Sequence, residues 1–153
     1  MPKLARMPPP ADNLYGTDFY GWARSQARAL SARDRAALDV GNLIDEVESL
    51  GRSQRHAIRS HLEVLIAHLL KFRVQPERAS PSWRRTLRNQ RREIAQRIAR
   101  NPSLRAYPAE VLAETYRDAV RLACDETQLD AARFPQDCPF TLAQILDAGF
   151  EPE

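Results

Sequence analysis

Apolar positions along this chain recur at helical spacing in one segment after another, and no segment reads as a strand. Phe19, Trp22, Ala23, Ala27 and Leu30 predict a first helix over about 18–32, with Thr17 as its cap. Asp39 can cap a second, in which Leu43, Ile44, Val47 and Leu50 share one face and Gly51 is a stop or kink. The third, from Ser53 to about Phe72, gathers Ile58, Leu62, Leu65, Ile66, Leu69 and Phe72 into one arc at about 100° per residue. Val64, Ala67 and Leu70 make its second half apolar nearly all round, which predicts a central helix with His68 at least partly buried. Ser80 and Pro81 are a cap and first-turn proline that open a fourth helix running to about Arg100. Its buried stripe is Trp83, Leu87, Ile94 and Ile98, with Gln90 inside it, and Asn101-Pro102 stops it. A fifth helix over about 108–126 uses Leu112, Tyr116, Ala119, Val120 and Ala123 inward, with Glu114–Arg117 and Asp118–Arg121 as solvated i to i+3 pairs. Thr141 with Gln144 forms a capping box for a short last helix ending near Gly149. The fold class is therefore all-α, a single-domain bundle of five to six helices over 14–153, behind a flexible proline-rich tail of residues 1–13.

Composition narrows the function classes. A chain of 153 residues supports one core, and 43% hydrophobic with 28% charged residues is globular composition. Five glycines and 7% aromatics argue against a sandwich or barrel. The longest uncharged apolar stretch, Val64 to Leu70, is seven residues, too short to span a bilayer, and the N-terminus lacks the apolar core of a signal peptide. A cytoplasmic protein without a membrane partner is the expectation. Cys124 and Cys138 have neither the spacing nor a nearby histidine for zinc; Cys124 reads as a small core residue and Cys138 as a loop residue, and a disulfide between them is unexpected in the cytosol.

Charge changes the picture more. Formal net charge is +3, and 21 of the 23 basic residues are Arg. That skew suits bidentate phosphate and carboxylate contacts, though a GC-rich genome produces it as well. Residues 1–70 carry +1, residues 71–105 carry +9 and residues 106–153 carry −7. The basic centre and the acidic end either neutralise each other within one fold or leave one of them to face a partner.

The stretches LYGTDFYGW (Leu14 to Trp22), NLIDEVESLGRSQR (Asn42 to Arg55), HLLKFRVQPERASPSWRRTLRNQRR (His68 to Arg92), NPSLR (Asn101 to Arg105) and FPQDCPFTLAQIL (Phe134 to Leu146) carry a resemblance. In this order they closely resemble the bacterial domain of unknown function family twenty-nine, over nearly the whole chain from Leu14. The resemblance implies an all-helical, cytoplasmic bacterial protein whose biochemical role is unassigned. The chain departs from the family pattern at Phe72, where Trp is more usual, and at His61, where that pattern has no fixed histidine.

Three constellations can carry chemistry. Glu46, Glu48, His68, Lys71 and Gln75 form a polar set in which adjacent antiparallel helices would bring Glu46 to His68, as an acid/base pair or the start of a metal site. Glu48 points to another side, the metal triad is incomplete, and the plainer account of His68 is a core histidine held by Glu46 or a backbone carbonyl. Arg55 and His61 superficially resemble the Arg-x5-His pattern of HEPN-type helical ribonucleases, a spacing that chance readily produces in an Arg-rich helix. The last constellation is the arginine sector of the fourth helix, Arg84, Arg85, Arg88, Arg91 and Arg92 within about 120°, extended by Lys71, Arg73 and Arg78. It can contact phosphates, or it can be a solvated face neutralised by the acidic last third. Phe19, Tyr20 and Trp22 read as an aromatic core cluster from which one ring must turn away. No phosphate loop, Ser-His-Asp set, nucleotide fingerprint or base-reading motif is present, and no metal or cofactor is implied. The expectation is a non-catalytic module binding nucleic acid or an acidic protein through its arginine face. The alternatives are a self-associating protein with basic-to-acidic contacts and a small hydrolase or nuclease built on Glu46 and His68.

Overall fold

A computed structural model describes residues 11–153, with side chains from Leu14 onward. The flexible tail expected over residues 1–13 falls mainly outside the described residues, and Ala11 to Asn13 are already helical. Six α-helices follow in order: α1 Ala11–Thr17, α2 Phe19–Ala32, α3 Val40–Val74, α4 Pro81–Arg100, α5 Tyr107–Thr127 and α6 Leu142–Leu146. Short 3-10 turns lie before α3, α4 and α5 and after α5, and no strand occurs among the described residues. Within this all-α fold the chain divides into two compact units, one ending at Gly51 and the other Arg52–Glu153.

The first unit is organised by Asp39 and Trp22. Asp18, not Thr17, caps α2: its carboxylate accepts from the Gly21 amide at 2.9 Å, and a Cβ on Gly21 would fall 2.4 Å from that carboxylate. Glycine at this position therefore leaves room for the cap to close. The buried Trp22 indole donates to Asp39 at 3.0 Å, and the buried Gln26 carbonyl accepts from the Asp39 amide at 2.7 Å. Asp39 also accepts from the Asn42 amide and side chain at the start of α3, as its capping role predicts; the Asn42 hydrogen bond, with that of Trp22, holds the carboxyl below its usual range. Tyr15 packs edge-on against Trp22 and donates to Glu46 at 2.6 Å. Of the aromatic trio, Trp22 is buried, Phe19 half exposed and Tyr20 turned outward.

Where two helices separated near Gly51 were expected, α3 is a single helix of 35 residues. A lone glycine costs only about 1 kcal/mol in a helix interior, less than the turns on either side supply. The second half of α3 is the core of the second unit, as its all-round apolar pattern predicts. Leu62, Leu65, Ile66, Leu69 and Leu70 are completely buried in one cluster with Leu87 and Ile94 of α4 and Tyr116, Ala119 and Ala123 of α5, and Ile58 is completely buried as well.

The remaining elements follow their local signals. Ser80 accepts from the Trp83 amide with Pro81 in the first turn of α4, and Thr141 and Gln144 form the full capping box of α6. Helix α6 ends at Leu146, short of Gly149, because Asp147 leaves the helix with an extended ψ and its carboxylate accepts from the Gly149 amide. The buried Tyr116 hydroxyl donates to the Pro135 carbonyl at 2.6 Å, tying down the loop that brings Phe134 and Phe140 into the core; burial pushes this phenol up to about 12. Cys124 and Cys138 are both free and half-buried, and burial raises both thiols.

Candidate functional site

Helix α4 carries the arginine sector, and the structure divides it. Leu87 and Ile94 set the buried side of the helix. At about 100° per residue Arg84 and Arg91 are the sector's members nearest that side, while Arg85, Arg88 and Arg92 share an arc of about 60° further round. Arg91 is buried: its Nε donates to the Ile145 carbonyl at 2.9 Å and its Nη2 to the Phe150 carbonyl at 2.8 Å. It thereby satisfies a carbonyl that the short helix α6 leaves open at its C-terminus. Burial lowers the pKa of this guanidinium, opposed by the charges of Asp147 and Glu151. Arg84 pairs with Glu151, and its guanidinium lies 5.8 Å from the centre of the Phe72 ring. Arg91 is therefore removed from the exposed sector expected from the sequence, and Arg84 is already partnered.

Arg85, Arg88 and Arg92 are exposed, as are Arg73 in the last turn of α3 and Arg78 in the 3-10 turn before α4. Among the described residues none of these five has a carboxylate within 4.0 Å; Arg92 reaches only the Asn89 side chain, at 3.5 Å. The acidic last third thus meets the basic centre at particular points, through Glu151 on Arg84 and Glu126 on Lys71. Its Glu114 and Asp118 are engaged by Arg59 at 3.0 and 2.7 Å. Glu114 accordingly bonds across to α3 and not to Arg117 as the helical spacing suggested, whereas the Asp118–Arg121 pair forms at 3.0 Å.

The polar set around His68 is not assembled as an acid/base pair. Glu46 and His68 lie 22 residues apart on the one helix α3, not on adjacent antiparallel helices, and each has its own partner. Glu46 accepts from Tyr15, and the buried His68 ring shares its Nδ1 with the Val64 carbonyl at 3.0 Å, one turn back. Burial holds the imidazole below its ordinary pKa, so it is neutral at pH 7. Lys71 is buried beside it, bonded to Glu126 at 2.7 Å with its ammonium 4.5 Å from the centre of the Trp83 ring. Gln75 caps the 3-10 turn after α3 without a side-chain cap bond, and Glu48 is exposed. Arg55 stacks over Tyr107 at 4.6 Å while His61 bonds to Gln90 at 2.6 Å, so this pair does not converge either. Among the described residues no group of three His, Cys, Asp or Glu could hold a metal ion, and no helix is long and apolar enough to cross a membrane.

Sequence reasoning missed Glu126, Glu151 and the Ile145 and Phe150 carbonyls as the partners of Lys71, Arg84 and Arg91. One signal was available: on the helical wheel Arg91 stands about 40° from Leu87, inside the reach of the buried stripe.

No curated protein and no solved structure matches the chain. A family model matches residues 14–151, and the chain belongs to that family, the domain of unknown function DUF29.

Proposed function

We propose that this protein is a non-catalytic helical binding module of the bacterial cytoplasm whose α4 arginine face docks on a polyanion. The observation that supports this reading most is the set Arg85, Arg88 and Arg92: three exposed guanidiniums in one arc, without a carboxylate partner among the described residues. Arg73 and Arg78, exposed before α4, add charge of the same sign. Guanidinium forks bond phosphate or carboxylate oxygens in pairs, so nucleic acid and an acidic protein surface are both suitable ligands. The contacts are to charge and not to base edges, because α4 offers no aromatic platform on that arc and Trp83 lies under Lys71. Binding is therefore insensitive to sequence and steeply sensitive to salt.

The test is retention on heparin and anisotropy of a labelled single-stranded RNA at low and moderate salt, with a polyglutamate competitor as a second arm. The reading expects retention that falls steeply with salt and is lost in Arg85→Ala/Arg88→Ala/Arg92→Ala. RNA bound with polyglutamate ineffective assigns nucleic acid, and the converse assigns an acidic protein. No retention by the wild-type chain, or equal retention by the triple variant, contradicts the proposal.

A further inference from the structure

Cavities in the second unit differ in the charge around them. One of about 590 Å³ beside Tyr116 carries Arg117 and Asp137, of opposite sign. Its neighbour of about 560 Å³ has Arg121, which is paired with Asp118, and a third of about 200 Å³ has Arg84, which is paired with Glu151. A groove of about 400 Å³ along the end of α4 is different. Its walls are apolar, and the charged residues that line it, among the described residues, are Arg91 and Arg105.

Helix α4 builds one side of this groove. Arg91, Ile94, Ala95, Ile98 and Ala99 fall within about 140° of the helical wheel. Ile94 is buried and Ile98 half-buried, and with the half-buried Leu146 of α6 they form the apolar wall. Ala95 and Ala99 are exposed, and their single methyl groups leave the mouth open. From Arg91 to Ala99 the helix rises about 12 Å, and the volume falls in the range of about 300–1,000 Å³ that small-molecule sites occupy.

Charge indicates which small molecule. Residues 91–105 hold five arginines and one acidic residue, Glu93, so the local field favours an anion. Arg91 is more than nine-tenths buried and held by the Ile145 and Phe150 carbonyls, so it contributes a fixed positive charge and an apolar stem. Arg105 is exposed and has no carboxylate within 4.0 Å among the described residues, which leaves its fork open to a carboxylate. We infer that this groove binds an amphipathic monocarboxylate, with a medium-length apolar chain along Ile94, Ile98 and Leu146 and its carboxylate on Arg105. The site is separate from Arg85, Arg88 and Arg92, and the inference does not rest on the polyanion reading.

The test is titration of the full chain with decanoate below its micelle concentration, followed by calorimetry and by backbone amide shifts. Binding should saturate at one site, with shifts confined to the end of α4, the turn through Arg105 and α6. Decanol in place of decanoate, or Arg105→Gln, should weaken binding about tenfold, the worth of one charge-assisted contact. Ala99→Trp should abolish it by filling the mouth, while far-UV circular dichroism is unchanged because Ala99 is exposed. Arg85→Ala/Arg88→Ala/Arg92→Ala should bind decanoate as the wild type does, so failure of the polyanion reading leaves this site standing. Absence of saturable binding to the wild-type chain overturns the proposal. So does decanol bound as tightly as decanoate, or decanoate affinity unchanged in Arg105→Gln or in Ala99→Trp.

Discussion

The arginines of α4 fall into two regions that the sequence does not distinguish and the fold does. Arg84 and Arg91 face the C-terminal segment, where one pairs with Glu151 and the other bonds two main-chain carbonyls. Arg85, Arg88 and Arg92, one to four residues away, face solvent. The difference teaches that a run of like charge on a helix is not one functional unit. Residues nearest the buried stripe become structural, because their long side chains can lie along the apolar surface and deliver the guanidinium to acceptors beyond it. Residues further round reach no carboxylate among the described residues, and Arg92 bonds only the Asn89 side chain.

Removing Arg91 should separate the two regions most sharply. Arg91→Ala leaves the Ile145 and Phe150 carbonyls without their charge-assisted donor, and two such bonds are worth about 3 kcal/mol together. Its melting temperature should fall by several degrees, with hydrogen exchange rising first in α6 and the segment after it, while RNA affinity changes little in the fraction that remains folded. The converse experiment has a somewhat smaller effect, and on binding only. Arg85→Ala/Arg88→Ala/Arg92→Ala should melt within about 0.5 kcal/mol per site of the wild type and lose most of its affinity at low salt.

A pH titration checks the buried polar cluster that lies beside this helix. His68 has a folded pKa below its unfolded value because burial disfavours the imidazolium. Below the unfolded value of about 6.5 the unfolded chain takes up a proton that the folded chain resists, so stability is full above that pH and falls as pH drops towards the folded value. Thermal melts between pH 7.5 and 5.5 should show this loss, and His68→Gln should flatten it; an unchanged slope in the variant would remove His68 as its cause. The smallest effect is expected for Glu151→Gln. Its ion pair with Arg84 is nearly half exposed on both sides, so stability should change by less than about 1 kcal/mol. Arg84 then joins the exposed set, and RNA binding should tighten slightly at low salt.

What was legible in the sequence follows a physical pattern. The bounds of α4 could be read because Ser80-Pro81 and Asn101-Pro102 act on the backbone locally, and the capping box at Thr141 and Gln144 was read for the same reason. The all-round apolar second half of α3 announced a core helix. Gly51 misled because a glycine's small helical cost is decided by its neighbours, here helix formers on both sides. The partners of Arg91 were illegible in principle, since a main-chain carbonyl carries no residue identity, and the Lys71–Glu126 pair joins residues 55 apart that no local rule connects. The separation of Glu46 from His68 followed directly from the missed continuity of α3.

The salt dependence of RNA binding tests the division of α4 most directly. For the wild-type chain, log K against log salt should fall with a slope of about −0.7 for each phosphate contacted on a single strand. In Arg85→Ala/Arg88→Ala/Arg92→Ala the slope should become shallower by about 2, the contribution of three contacts. Equal slopes for the two proteins would contradict the account.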